Sequence, residues 1–365
     1  MFRRFLAAAL CATAMMAASP TQAQQTLNVY NWSDYIDPKA VQRFQTETGI
    51  TVRYDVFDSL ETLEGKLSAG RSGYDIIVPT SEPTFARLVR AGALRKLDRA
   101  QIPNWSNQDA TLLSRVESSD PGNQHGAIYL YGTVGLGIRP DKVREVLPDA
   151  PLDSLDLLMK PENAKALSAC GIAVMDSAID VLPSVLRWLG KDPNGNDTAD
   201  LRAAEQAMLA IRPHVRAITA SGSILDALAT GEYCVALTYS GDVIQAKARA
   251  EEAGRGVAIG YVQPKEGAQL WFDMLAIPAD APNPEAAQRF INFLLQPAVI
   301  AGVTNAVHYP NAVPAATPLV DEAVREDANV YPTPEMLSRT FVATVMSSQA
   351  ERARSRLWNR FKAGR

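Results

Sequence analysis

The sequence predicts an α/β protein of two lobes, each a mostly parallel sheet flanked by helices. Three observations carry that expectation. The chain has 365 residues, and at roughly 100–200 residues per domain that length asks for two cores. Short apolar runs alternate with helical segments, the signature of parallel βαβ units. No Gly/Ser-rich connector separates the halves, so the lobes should be joined by crossing strands.

Residues 1–23 stand apart. Arg3 and Arg4 lead an apolar run from Phe5 to Ala18, and Thr21-Gln22-Ala23 supplies small residues at the −3 and −1 positions of a cleavage site. This is the layout of a secretory signal peptide. Leu27–Tyr30 then reads as a strand. Asp37 offers a helix N-cap with Pro38 in the first turn, and Gly49 a stop. Ile50–Phe57 alternates as a second strand, Ser59 caps a helix running to Gly70, Tyr74–Val78 is a third strand, and Thr84–Ala91 is a helix stopped at Gly92. Ala127–Ile138 and Gly260–Val262 are the candidate crossing strands, and the glycines at 132, 135 and 137 would give the first a hinge's rotational freedom, a Gly-rich buried strand being the other reading. The alternation resumes with strands at Val215–Thr219, Tyr233–Tyr239 and Val257–Val262 and helices at Ile224–Ala229 and Val243–Ala253. Helices at Pro284–Leu295 and Pro334–Met346 and a basic stretch around Arg352–Lys362 complete the chain.

Charge narrows the function. Lys+Arg 36 against Asp+Glu 40 gives a net charge of −4. Without residues 1–23, which hold two Arg and no acid, the balance is 34 to 40, or −6. Nothing here matches a phosphate backbone, which excludes nucleic acid as the expected partner. Removing Cys11 leaves Cys170 and Cys234, which in an oxidising compartment predict a disulfide, two buried thiols being the alternative.

Familiar catalytic and metal signatures are missing from the string. The three histidines, His125, His214 and His308, lack metal-site spacing, and no G-x-S-x-G, P-loop or G-x-G-x-x-G occurs. Asp192–Asp197 resembles the start of a calcium loop, but its sixth position is Asp197 rather than Gly and its twelfth is Ala203 rather than Glu. It reads as a polar turn; neither metal nor cofactor is expected.

One constellation remains. Trp32-Ser33-Asp34-Tyr35, Tyr239-Ser240-Gly241-Asp242 and Trp271-Phe272-Asp273 each place an aromatic ring within three positions of an aspartate. The first two follow directly on predicted strands, where open α/β sheets bind ligands. Each alone could be a cap or a core aromatic. Together they describe aromatic walls with carboxylate ends and no Arg to receive an anion. An alkyl chain with an ammonium at each end suits them: methylenes lie between ring faces while the ammoniums donate to carboxylates.

These residues resemble the periplasmic polyamine-binding proteins of ABC importers, closest to the putrescine-binding branch. The likeness runs through YNWSDYI at 30–36, YDVFDSLETLEGKL at 54–67, KPENAKALSACG at 160–171, LGKDPN at 189–194, PKEGAQLWFD at 264–273 and AATPLV at 315–320. It implies a type II solute-binding fold that closes on its ligand, with residues 24–130 and 263–312 as one lobe and 131–262 and 313–365 as the other. It also implies a monomer in the periplasm that serves a permease in the inner membrane and is not an enzyme. The matching ligand positions are Trp32, Ser33, Asp34, Tyr35, Thr80, Asp180, Tyr239, Asp242, Trp271, Asp273 and Tyr309. By role, Asp273 would hold one ammonium with Ser33 and Asp34 nearby, and Asp242 and Asp180 would address the other. Trp32, Tyr35, Tyr239, Trp271 and Tyr309 would form an aromatic box. Thr80, Asp180, Tyr239 and Trp271 stand where that branch carries Ser, Glu, Trp and Phe, departures that bear on ligand length rather than ligand class. Two other readings stay open: a receptor for a sugar, which aromatics and aspartates also hold, and a secreted hydrolase using two aspartates as acid and base.

Overall fold

A computed structural model describes residues 25–365; the expected signal segment and Cys11 lie outside the described residues. Strand β1 (Thr26–Trp32) leads into helix α1 (Pro38–Thr48), where the Asp37 side chain accepts from the Lys39 N–H and Gly49, at φ 71°, closes the last turn. Strand β2 (Thr51–Phe57) returns parallel to β1. Ser59 then accepts from the Thr62 N–H to cap α2 (Leu60–Ser68), and β3 (Ile76–Ile77) joins the other side of β1. The helix expected over Thr84–Ala91 is shorter. Ser81–Phe85 forms a wide turn containing an extended Glu82, and α-helix runs only over Ala86–Arg90. Pro83 explains the difference, since its ring disfavours α conformation in the preceding residue.

Strand β4 (Gly126–Ile138) is buried along its whole length. Beyond it come β5 (Ile172–Met175), α3 (Ala178–Trp188), α4 (Thr198–Ile211), β6 (Ala217–Thr219), α5 (Ser221–Thr230), β7 (Val235–Tyr239), α6 (Ser240–Glu252), β8 (Gly260–Val262) and β9 (Ala268–Ala276). The strand order is β2-β1-β3-β9-β4-β7-β5-β6. The two halves of β4 belong to different sheets: Gly126–Thr133 pairs with β9, and Val134–Ile138 pairs with β7 and β8. It is therefore the crossing strand expected at Ala127–Ile138. Gly260–Val262, the other candidate, does not cross. It stays antiparallel on Leu136–Ile138, and the chain returns through residues 263–267 into β9.

The β4 glycines allow close packing. A Cβ on Gly132 would lie 2.5 Å from Trp271 Cζ2, and one on Gly135 would lie 2.4 Å from the Tyr261 hydroxyl and 2.5 Å from the Val262 carbonyl. Neither residue has positive φ; only the missing side chain is used. Gly135→Ala should therefore destabilise the protein by about 1–3 kcal/mol. Urea denaturation would check this, and an unchanged midpoint would contradict it.

The last third contributes α7 (Pro284–Leu294) and α8 (Pro297–Val307), then β10 (Thr340–Val342) and α9 (Ser348–Ala363). The helix expected over Pro334–Met346 ends at Ser338, and the Thr-Phe-Val run pairs instead in parallel with Ala268–Leu270; β-branched and aromatic residues suit that pleated surface. Helix α9 packs on α3 and α4. Among the described residues no single helix is long and apolar enough to cross a membrane. In the Asp192–Asp197 turn the Asp197 side chain caps α4, and among the described residues no group of three or more His, Cys, Asp and Glu side chains is placed to hold a metal.

Cys170 and Cys234 are bonded, with 5.6 Å between their Cα atoms. The parallel pairing of Ile172 with Val235 aligns the residues just before each strand and brings the sulfurs together. The bond closes a separation of 64 residues. Its reduction should cost about 4 kcal/mol in the chain-entropy account, read as a lower denaturant midpoint in dithiothreitol; coincident curves would contradict it.

Candidate functional site

A cavity of about 310 Å³ opens where the two sheets meet. From the first sheet it receives the carboxyl ends of β1, β2 and β3 and two residues of β9. From the second it receives the carboxyl ends of β5, β6 and β7 with the first turns of α3, α5 and α6. Parallel strands that turn into helices leave loops along one edge, and ligands settle there. All eleven residues singled out from the sequence line this one cavity: Trp32, Ser33, Asp34, Tyr35, Thr80, Asp180, Tyr239, Asp242, Trp271, Asp273 and Tyr309.

The rings form a continuous wall. Tyr35 meets Tyr309 edge-on with centroids 5.3 Å apart, Tyr309 meets Trp271 at 5.3 Å, and Trp271 meets Tyr239 at 5.6 Å. Trp32 is tilted on Phe57 at 4.5 Å, its indole N–H fixed by the Val78 carbonyl at 3.0 Å. Gly241 is needed for this packing, because a Cβ there would lie 2.4 Å from the Tyr309 ring.

The aspartates differ in how they are held. Asp273 is buried in mid-strand and accepts from Thr80 Oγ1 at 2.6 Å. Burial pushes its carboxyl up to about 7, Asp180 adds to the rise, and Thr80 and the adjacent Tyr35 hydroxyl oppose it. The Tyr35 hydroxyl falls short of hydrogen-bond geometry with any partner, so Thr80 is the donor that counts. Asp180, in the first turn of α3, accepts from Ser177 Oγ at 2.5 Å, the Tyr239 hydroxyl at 2.7 Å and Gln269 Nε2 at 2.8 Å. Asp242, in the first turn of α6, accepts from the Tyr309 hydroxyl at 2.8 Å, and that hydroxyl takes the Asp242 N–H at 3.1 Å. Burial raises both of these carboxyls despite their donors. Helix N-termini partly offset that cost. Asp34 is different: its side chain is 74% exposed at the rim, with Arg249 3.7 Å away.

Sequence reasoning overlooked part of the lining. Asp58, Glu61, Glu82 and Asp176 also face the cavity, making eight carboxylates with Asp34, Asp180, Asp242 and Asp273. No Lys, Arg or His is among the lining residues. Phe57-Asp58 carries the same aromatic-beside-aspartate signal at the end of a strand. Gln269 had no such signal; only the pairing of β9 beside α3 turns its amide onto Asp180.

The profile of the bacterial extracellular solute-binding proteins matches residues 39–332. The chain belongs to that family. Among its solute-binding relatives, the putrescine-binding periplasmic protein SpuD of Pseudomonas aeruginosa is 45% identical, covering 100% of this chain and 99% of its own. The putrescine-binding periplasmic protein PotF of Escherichia coli is 44% identical over 98% of this chain and 97% of its own. A solved structure of a spermidine/putrescine ABC transporter protein from Listeria monocytogenes superposes with a TM-score of 0.82 at 31% identity, covering 93% of this chain and 100% of that one. This solute-binding protein thus shares its two-lobed α/β architecture with transporter receptors along nearly its whole length.

Proposed function

We propose that this protein is a periplasmic receptor that captures putrescine or a related polyamine between its lobes and delivers it to an ABC permease in the inner membrane. One observation carries the reading: an aromatic-walled cavity lined by eight carboxylates and no basic side chain. Of these, Glu82, Asp180 and Asp273 are buried and have no ion-pair partner among the described residues; burying such carboxylates is costly, and a ligand bearing ammoniums removes that cost on binding. A neutral sugar would leave it in place. Relatives named as putrescine-binding periplasmic proteins, and a similar structure named for an ABC transporter, support capture over hydrolysis.

In this reading Asp273 takes one ammonium, close to Thr80 and Tyr35. Asp242 takes the other. Asp180, its oxygens already met by three donors, acts by field and by orienting Tyr239. Trp32, Tyr35, Tyr239, Trp271 and Tyr309 enclose the methylenes, while Ser33 and Asp34 sit at the mouth. The lobes divide within β4 near 133/134, where its pairing passes from β9 to β7, and again between β8 and β9; residues 1–23 direct export and are removed, and the mature chain acts as a monomer.

Four buried methylenes at about 0.8 kcal/mol each and two charged hydrogen-bonded ends are enough for roughly micromolar affinity once association costs are subtracted. Calorimetric titration with putrescine, cadaverine, agmatine, spermidine and maltose tests the reading. Heat from at least one amine and none from maltose is expected; no heat from any amine would sink it.

A further inference from the structure

A second concentration of charge, of the opposite sign, lies outside the cavity. Residues 348–365 carry six basic side chains against the single acid Glu351, which leaves 28 basic and 39 acidic side chains in residues 24–347. A chain that is acidic elsewhere thus ends in a cationic helix, α9. Arg352, Arg356 and Arg360 follow one another at intervals of four, on one helix face, and all three are exposed. Exposed Arg202 on α4 faces the same groove as Arg356 and Arg360, a cavity of about 530 Å³ between α4 and α9.

The acids near this face are already engaged. Glu205 pairs with Arg360, Glu351 with Arg87, Asp200 with Lys191 and Asp176 with Lys362, and the Asp197 carboxylate caps α4. Arg202, Arg352, Arg356 and Arg365 have no ion-pair partner among the described residues. The apolar side chains of the helix, Leu357, Trp358 and Phe361, are buried against the lobe. The exposed face therefore offers several cations and no aromatic or aliphatic centre. A protein partner would want such a centre, whereas an anionic bilayer needs only charge and area.

We propose that the α9 face, with Arg202, is a docking surface for anionic phospholipid headgroups, holding the receptor loosely against the membrane. The inference goes beyond the ligand reading and shares only its location beside an inner membrane. Clustered Lys and Arg near an anionic leaflet contribute additively and lose their effect in salt.

Flotation of the mature protein with vesicles tests it. Vesicles of phosphatidylcholine mixed with phosphatidylglycerol should carry the protein up at low salt, pure phosphatidylcholine should not, and added salt should release it. The combined variant R202Q/R352Q/R356Q/R365Q should bind at least about tenfold more weakly. Its polyamine affinity and melting temperature should match the wild type, which separates this outcome from misfolding and from failure of the ligand reading. Equal flotation of variant and wild type would overturn the proposal, as would absence of wild-type flotation at low salt. Release by inorganic phosphate at constant ionic strength would reassign the groove to a soluble anion. Recruitment by neutral vesicles that carry the permease, lost in the variant, with none by phosphatidylglycerol, would reassign the face to a protein.

Discussion

Replacing Asp273 with asparagine should weaken putrescine binding while making the ligand-free protein more stable. The opposite signs come from one fact. Asp273 is buried with one firm hydrogen-bond donor, Thr80, and no basic residue lining its cavity. Its charge is a burden without ligand and an anchor with it. Removing one side of a buried charge pair costs about 2–5 kcal/mol, or roughly 30-fold to several thousand-fold in affinity. Asparagine keeps the shape and a carbonyl oxygen for Thr80, so the folded lobe should not collapse. Calorimetry gives the affinity loss and differential scanning fluorimetry the rise in melting temperature. Weaker binding together with a lower melting temperature would indicate that Asp273 is structural. Unchanged binding would remove it from the site.

Asp242 and Asp180 should respond more mildly, for reasons visible in their surroundings. Asp242 carries the Tyr309 hydroxyl on one oxygen and sits in the first turn of α6. Asp180 carries three donors and sits in the first turn of α3. Their charges are partly met by the protein itself, so less of each is left for the ligand to satisfy. A graded loss across Asp273, Asp242 and Asp180 variants is therefore the pattern that the geometry predicts.

The same contrast explains what sequence reading captured and what it lost. Local signals carried far. Asp37-Pro38 with Gly49, and Ser59 three residues before Thr62, define helix ends through their own caps. The motifs at 32–35 and 239–242 end strands and so had to reach the ligand edge. Mid-strand Trp271 and Asp273 had no such positional argument, only composition and resemblance. Other features depend on pairing partners far away in sequence. That Gly135 leaves no room for a Cβ is decided by Tyr261, and whether Gly260–Val262 crosses is decided by its ladder with Leu136–Ile138. The difference between a saturated Asp180 and a sparsely held Asp273 rests on Gln269 and Thr80, which carry no charge pattern to notice. Asp34 looked equivalent to Asp242 in the string, yet its positive φ of 52° turns it out to the rim beside Arg249.

Putrescine affinity should fall as the medium is acidified below about pH 7. In the ligand-free protein Asp273 holds its proton up to about 7, chiefly through burial. An ammonium binds the carboxylate, so the proton must leave first, and each pH unit below that value costs about tenfold in affinity for one coupled proton. Asp242 and Asp180, also raised by burial, steepen the fall where they too become protonated. For stability the sign follows from comparing states. Unfolded Asp273 would release its proton near about 3.9, so between that value and about 7 the folded, ligand-free protein binds more protons than the unfolded chain. Its contribution to stability is complete below the unfolded value and is lost as pH rises through the folded one. Bound putrescine stabilises the charged form and restores what was lost. The melting-temperature gain from a fixed putrescine concentration should accordingly be small near about pH 5 and large near about pH 8, and Asp273→Asn should flatten most of that slope. Parallel calorimetry and fluorimetry across this range would check both curves. An affinity independent of pH would mean that Asp273 is already ionised in the empty cavity, and with it would go the argument that an unmet buried charge selects a cationic ligand.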